Sequence, residues 1–344
     1  IVGQLILSSF AIGFAEYAEA LIPGIDLAIV AAAIMILCFV ANLFGIKTAA
    51  RFQTVMVLGL LVSLMLYIVF GMAHIEDYSP YTAIPTVMPN GFGGFFAAAF
   101  LLRLSLIGSE FISEFGDEME NPGKMIPLVM GLSLAIVVVL YIFIAVVATG
   151  VLPLEEIAGK NLAATAKIIF SPTVYVAFIG GGIMISLVTS LNAIFGWCTR
   201  GLYMATEDGW LPPKLAAVNR HGVPYIYLTV FFLIGITPIL TGMTLDYVAI
   251  LGNAVGAIFG LFPVFALFNL AKRNPEAYRN APFRLPLWAT KSFPILAVII
   301  YGYGIYSSWD FIGNTGWLLL LGYSTVVLIY IQLRTPYVAQ LREH

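Results

Sequence analysis

Long apolar runs alternate with short polar turns along the whole chain. A helix needs about 20 apolar residues to cross a bilayer. Ten runs meet that length to within a few residues: 1–22, 25–45, 53–74, 92–115, 126–150, 172–205, 223–241, 245–271, 287–309 and 315–333. The sixth is too long for one crossing and is expected to continue as helix beyond the membrane. Three connections differ in kind. Residues 75–91 hold Pro80, Pro85 and Pro89 and read as an irregular cap. Residues 154–169 place apolar side chains on one side at helical period, which predicts a short amphipathic helix. It either lies over the outer mouth or is a surface helix with no part in gating. Residues 206–224 are polar and turn-rich, and 272–286 are basic with three prolines.

Composition turns this pattern into a membrane protein. The chain is 61% hydrophobic and 10% charged, with a mean hydropathy of +0.98; a soluble domain carries about 25% charge. Of 16 lysines and arginines, 13 follow the even-numbered runs, two (Lys160 and Lys167) follow odd ones, and Arg103 lies within a run. Cytoplasmic loops collect Lys and Arg, so both ends of the chain are expected on the cytoplasmic side of the plasma membrane. The net charge of -2 gives no hint of nucleic acid. Cys38 and Cys198 fall inside apolar runs and read as packing residues. His74, His221 and His344 lie at run ends or the terminus and offer no metal cluster. The chain starts at Ile1, already apolar, with no positive flank or cleavage site. That start predicts a missing N-terminal portion rather than a signal peptide.

One stretch breaks the apolar pattern. Residues 91–127 begin as a glycine-rich apolar helix and then carry Arg103, Ser105, Gly108, Ser109, Glu110 and Glu114 before the Asn121-Pro122 turn. An ionisable residue at bilayer depth costs several kcal/mol and marks a cavity or an internal pair. On an unbroken helix Arg103, Ile107, Glu110 and Glu114 would share one stripe. Ser105, Gly108 and Ser109 argue instead for a discontinuous helix, whose freed backbone groups bind substrate carboxylates and ions in transporters. A glycine used only for close helix packing is the plainer reading. Glu110 is the candidate titratable gate. Arg103 is either its counter-ion and a selectivity element, or a side chain that snorkels outward. Ser186, Thr189 and Ser190 share one side of the sixth run, near Asn192, and suit a monovalent cation. Hydroxyls bonded to their own helix are the alternative. Gly180, Gly181 and Gly182 suggest a close crossing or a flexible segment, and the stripe of Gly252, Asn253, Gly256 and Gly260 suggests close packing. No catalytic set, metal site or nucleotide loop is present in the sequence, so neither an enzyme nor a cofactor is expected.

Several stretches resemble the amino acid–polyamine–organocation (APC) transporter superfamily. Ile107-Gly108-Ser109-Glu110 is similar to the family's glycine-centred break in its sixth helix. The run from Glu118 to Pro127 resembles its E-x-x-N-P-x-x-x-I-P turn. Residues 192–212, with Arg200, Gly209 and Pro212, resemble its eighth helix and following loop. Pro282 to Pro286 resembles the turn before its eleventh helix, and residues 42–47 with Gln53 are a weaker match. The resemblance implies an all-α polytopic protein with the leucine-transporter-like inverted-repeat fold. It would form one transmembrane unit over 1–344, with ten of twelve helices present, numbers three to twelve. It implies a substrate site at Ser105, Ile107, Gly108, Ser109 and Asn192, with gating or coupling by Glu110, Arg103 and Glu114. Some members carry a fifth-helix lysine that stands in for sodium; here that position reads Gly59-Leu60. The expected function is secondary active transport of amino acids or related amines by alternating access, with proton or sodium as coupling ion and lipid as surroundings. A channel or a non-transporting sensor of the same fold is the alternative.

Overall fold

A computed structural model describes residues 2–45, 50–78, 81, 88 and 90–343. Each of the ten apolar runs is helical, and no strand occurs among the described residues. In chain order the elements are α1 (Val2–Leu21), α2 (Leu27–Leu43), α3 (Ala50–Met72), α4 (Gly91–Leu102), α5 (Pro122–Val151), α6 (Leu154–Ile157), α7 (Ala163–Ile169), α8 (Pro172–Val176), α9 (Ile185–Glu207), α10 (Tyr225–Leu240), α11 (Leu245–Arg273), α12 (Pro275–Asn280), α13 (Ala289–Ser307) and α14 (Trp309–Glu343). Two 3₁₀ segments, Arg103–Leu106 and Ser109–Glu118, continue α4, and a π-helical segment, Ala177–Met184, joins α8 to α9. Among the described residues six continuous stretches are long and apolar enough to cross a membrane: Thr54–Met72, Gly91–Ser113, Pro122–Val151, Pro172–Glu207, Leu245–Arg273 and Trp309–Leu341. Helices α2 and α10 are shorter and equally apolar. The protein is therefore integral to the membrane and multi-pass. The expected long sixth run is present as Pro172–Glu207.

Helix α1 is the hub. It packs against α2, α9, α10 and α11. Leu7, Ala11, Ala15 and Ala18 recur at helical spacing on its buried face, and small side chains let neighbouring backbones approach. Ser8 donates to the Gly235 carbonyl of α10 at 2.5 Å, which keeps its hydroxyl satisfied inside this core. A second apolar core joins α3, α5, α7 and the π segment around Tyr67, Val147 and Ile179.

The segment at 154–169 differs from the single amphipathic helix its periodicity predicts. It forms two short helices, because Gly159 adopts φ +72° and Asn161 Oδ1 caps the Ala163 N–H at 3.1 Å to restart the chain. Thr165 and Ala166 are then fully buried, and Tyr67 and Thr165 share a hydroxyl–hydroxyl bond of 2.6 Å. This segment is thus part of the second core. Most of the proline-rich run at 75–91, and Lys47 of the weaker motif match, lie outside the described residues. Cys38 and Cys198 are both buried.

Candidate functional site

The apolar helix that begins at Gly91 stops being α-helical at Leu102. A 3₁₀ turn over Arg103–Leu106 tightens it. The chain then opens fully: Ile107 is extended (φ -73°, ψ 142°) and Gly108 takes φ 136°, a backbone region closed to L side chains. The discontinuity expected from Ser105, Gly108 and Ser109 is present, and it falls between two stretches of one apolar helix. Because the helix is broken, Arg103 and Glu110 do not share a stripe. The Glu110 carboxylate turns back and accepts the Gly108 N–H at 2.8 Å, and its backbone carbonyl accepts Ser113 Oγ at 2.7 Å. Glu110 itself is exposed, as are Ser105 and Gly108. The Ser105 carbonyl, freed from the helical ladder, accepts the Tyr141 hydroxyl of α5 at 3.3 Å. The Glu114 side chain lies outside what the structure describes.

Arg103 is half-buried, and its contacts reach α11 and α13. Its guanidinium sits 5.0 Å from the Tyr301 ring centre and 6.0 Å from that of Phe100, and Nη2 donates to the Asn253 carbonyl at 3.3 Å. A cation over aromatic rings is attracted by their negative faces, and a cation at the end of α4 also complements the negative end of its dipole. The carboxamide of Asn253 works on the same helix end. Fully buried, it donates Nδ2 to the Leu101 carbonyl at 2.7 Å, in the last turn before the break. Asn253 Oδ1 and Arg103 Nε are both buried without a protein partner. Asn253 is the site residue that sequence reasoning missed. In the sequence it is one polar position in a stripe of glycines, and only its burial and its bond to Leu101 mark it out. Gly252, beside it, faces Leu5 and Leu104, where a Cβ would meet ordinary contacts of 3.7 and 3.9 Å.

The second cluster lies on α9. Asn192 Oδ1 accepts from Asn42 Nδ2 of α2 at 2.7 Å, and the same Nδ2 also donates to the Cys38 carbonyl at 2.8 Å. Asn192 thus ties α9 to α2. Ser186 and Thr189 donate to their own helix, at Ile183 O (2.7 Å) and Ser186 O (2.8 Å). A hydroxyl oxygen that has donated its proton still accepts. With Ser190, these two line a small cavity of about 130 Å³ between α3 and α9, whose other walls include Met56, Val57, Leu60 and Ala193. Leu60, one of the two residues, Gly59-Leu60, at the place where some members carry a lysine, is in the cavity wall as an apolar side chain.

The turns that carried the resemblance also find physical reasons. Asn121 is in the left-handed region (φ 55°, ψ 55°), which Asn tolerates, and Pro122 occupies the first turn of α5, where its missing N–H costs nothing. The Asn121 carbonyl accepts the N–H groups of Lys124 and Met125 at 3.0 and 3.1 Å. Gly123 lets this turn sit against Pro282, since a Cβ there would come within 3.0 Å of the ring. Two distant motifs thus meet. At the end of α9, Arg334 Nε donates to the Gly209 carbonyl at 2.8 Å and the Tyr330 hydroxyl to the Trp210 carbonyl at 2.6 Å, so α14 holds that loop.

Comparison with known proteins agrees with this geometry. A family model described as amino acid permease matches residues 2–329. A branched-chain amino acid permease of Bacillus subtilis (strain 168) is 28% identical over 293 residues, covering 83% of this chain and 58% of the relative. A methylthioribose transporter of the same organism is 26% identical over 348 residues, covering 94% and 72%. A serine/threonine exchanger, also from it, is 28% identical over 274 residues, covering 77% and 60%. The chain therefore spans between 58% and 72% of the length of these relatives. A glycine-broken apolar helix, an Asn-Pro turn seated on a second proline turn, and a family match over nearly the whole chain converge: the chain belongs to the amino acid permeases of the APC superfamily, which are membrane transporters and not enzymes.

Proposed function

We propose that the chain is a secondary active transporter that moves amino acids or related amines across the plasma membrane by alternating access. The observation that carries this reading is the break at Ile107-Gly108. It takes backbone N–H and C=O groups out of the helical ladder within an apolar helix, where the Glu110 carboxylate and the Tyr141 hydroxyl bond them in their place. Such groups suit the carboxylate and ammonium of an amino acid. Ser105, Ile107, Gly108 and Ser109 form the substrate side of the site. Asn192 holds α9 in register with α2 and joins it from the opposite wall. Glu110 acts as gate or coupling group. Arg103 is positioned by Tyr301 and Asn253 to fix the end of α4. The cargoes of the three relatives span branched-chain amino acids, a sulfur-containing sugar, and serine or threonine, which supports a small polar-headed substrate. The distribution of lysine and arginine supports a cytoplasmic C-terminus.

The cavity at Ser186, Thr189 and Ser190 is the proposed cation position, with sodium as the ion, since Leu60 provides no ammonium there. Counterflow in proteoliposomes tests the whole reading. Saturable exchange of an internal unlabelled amino acid for an external labelled one is expected. An ohmic current without counterflow would make the protein a channel, and binding without any flux would make it a sensor.

A further inference from the structure

We propose that the connection from the end of α11 to the start of α13 is a docking surface for the phosphate headgroups of anionic phospholipid. Residues 272–291 carry Lys272, Arg273, Arg279, Arg284 and Lys291 against one acid, Glu276. All six side chains are exposed. A basic cluster of this size beside a membrane helix attracts anionic lipid, each cation strengthening the attraction about fivefold. The tendency of one side of the membrane to collect Lys and Arg accounts for the charge. It does not account for the apolar side chains set among those cations. Phe283, Leu287 and Trp288 are 60%, 61% and 67% exposed. Leu287 and Trp288 lead into the apolar helix α13, but Phe283 stands in the turn itself, between Pro282 and Arg284. A ring held out from a turn is shielded from water when that turn lies against lipid.

The turn is built to hold that position. The Tyr278 hydroxyl donates to the Leu285 carbonyl, and Arg284 Nη1 donates to the Arg279 carbonyl at 3.4 Å, which together close 278–285 into a bend. Pro282 rests against Gly123 at the start of α5. The neighbouring Asn121 turn adds Lys124 and Glu120, whose charges offset each other. Trp288 packs edge-on against Phe293 of α13 at 6.1 Å, which holds its ring at the helix start. Helix α11 ends at Arg273 and α13 begins at Ala289, so the bend joins two apolar helices at the edge of the bilayer. Trp sits at that level, and long basic side chains keep their heads there while their stems lie on apolar surface. Arg279 and Arg284 suit phosphate best, because a guanidinium can bond two phosphate oxygens at once.

This inference does not depend on transport, and its test reads lipid contact alone. The full chain is reconstituted in phosphatidylcholine vesicles that hold a minority of phosphatidylglycerol, with the same mole fraction of either lipid brominated in its acyl chains. The fluorescence of Trp288 is taken as the parent minus Trp288→Phe. Brominated phosphatidylglycerol is expected to quench it at least about twofold more than brominated phosphatidylcholine, and added salt should shrink that excess. Arg279→Gln, Arg284→Gln and Lys291→Gln together should remove the excess. Quenching by wholly brominated phosphatidylcholine should persist in that variant, which shows it still seated in the bilayer. Arg279→Lys with Arg284→Lys keeps the charges without the Arg284 bond and should keep most of the excess. Equal quenching by the two lipids in the parent, an excess that survives the glutamine variant, or one lost equally in the lysine variant overturns the proposal. So does loss of the excess on adding inorganic phosphate where sodium chloride of the same ionic strength leaves it, because the site then takes free phosphate rather than lipid.

Discussion

The side chain of Asn253 offers the sharpest test of how the break is held. It is fully buried on α11 and donates to the Leu101 carbonyl at 2.7 Å, just before α4 gives way to the 3₁₀ turn. Asn253→Leu conserves volume and removes the carboxamide. Two terms oppose each other. The Leu101 carbonyl loses a buried partner, which costs about 1–3 kcal/mol. The orphaned Oδ1 disappears as well, which returns part of that. Hydrogen bonds measured between membrane helices average only about 0.6 kcal/mol and reach about 1.7. The net expected loss is therefore about 1 kcal/mol. Arg103 Nη2 bonds the backbone carbonyl of residue 253, so that contact survives the change. The assay is thermal unfolding of purified protein in detergent, where this loss reads as a fall of about 2–4 °C. Asn253→Asp provides the sign check. It loses the donor to Leu101 but puts a carboxylate on the residue whose backbone carbonyl Arg103 already bonds, and should be less destabilised than Asn253→Leu in the presence of Arg103 and more so in an Arg103→Met background. A leucine variant as stable as the parent, or equal behaviour of the two variants in both backgrounds, would refute the clamp.

Other consequences of the geometry are direct. Gly108→Ala must force φ 136° on an L residue while its methyl meets nothing within 4 Å; the cost is conformational alone, about 1–3 kcal/mol, and shows as a lowered melting temperature with weakened substrate protection. Glu110→Gln keeps an oxygen to accept the Gly108 N–H but removes the charge. Uptake should fall while stability stays within about 0.5 kcal/mol of the parent, and unaltered uptake would end the gating or coupling role. Thr189→Val and Ser190→Ala, at the wall of the 130 Å³ cavity, should abolish sodium stimulation without abolishing binding of substrate, measured by titration in sodium and in choline. Arg334→Ala removes the bond to the Gly209 carbonyl and the cation over the Tyr337 ring at 3.9 Å; faster protease cleavage within 206–212 is expected, with flux little changed.

Sequence alone determined the membrane class, the ten helical runs and the place of the break. Those are local or compositional facts. A run of 20 apolar residues has few other fates, and Ser105, Gly108 and Ser109 in one such run cannot all favour continuous helix. The Asn121-Pro122 turn was legible for the same reason, since Asn tolerates left-handed backbone and Pro starts a helix. What the sequence could not supply is which element faces which. Periodicity placed Arg103 and Glu110 on one stripe only if the helix were unbroken. The fold breaks that helix at Gly108, turns Glu110 back on the break and sends Arg103 to Tyr301 and the Asn253 carbonyl. Asn253 read as part of a small-residue stripe, because nothing local distinguishes a packing position from a clamp; its partner Leu101 is 152 residues away. Nor did any single run mark α1 as the hub, since its alanines gain meaning only from the four helices they admit. Hydropathy is a property of one segment at a time, whereas a site in a bundle is a relation among segments. That relation is fixed only when small residues let backbones approach and each buried polar group finds its distant partner.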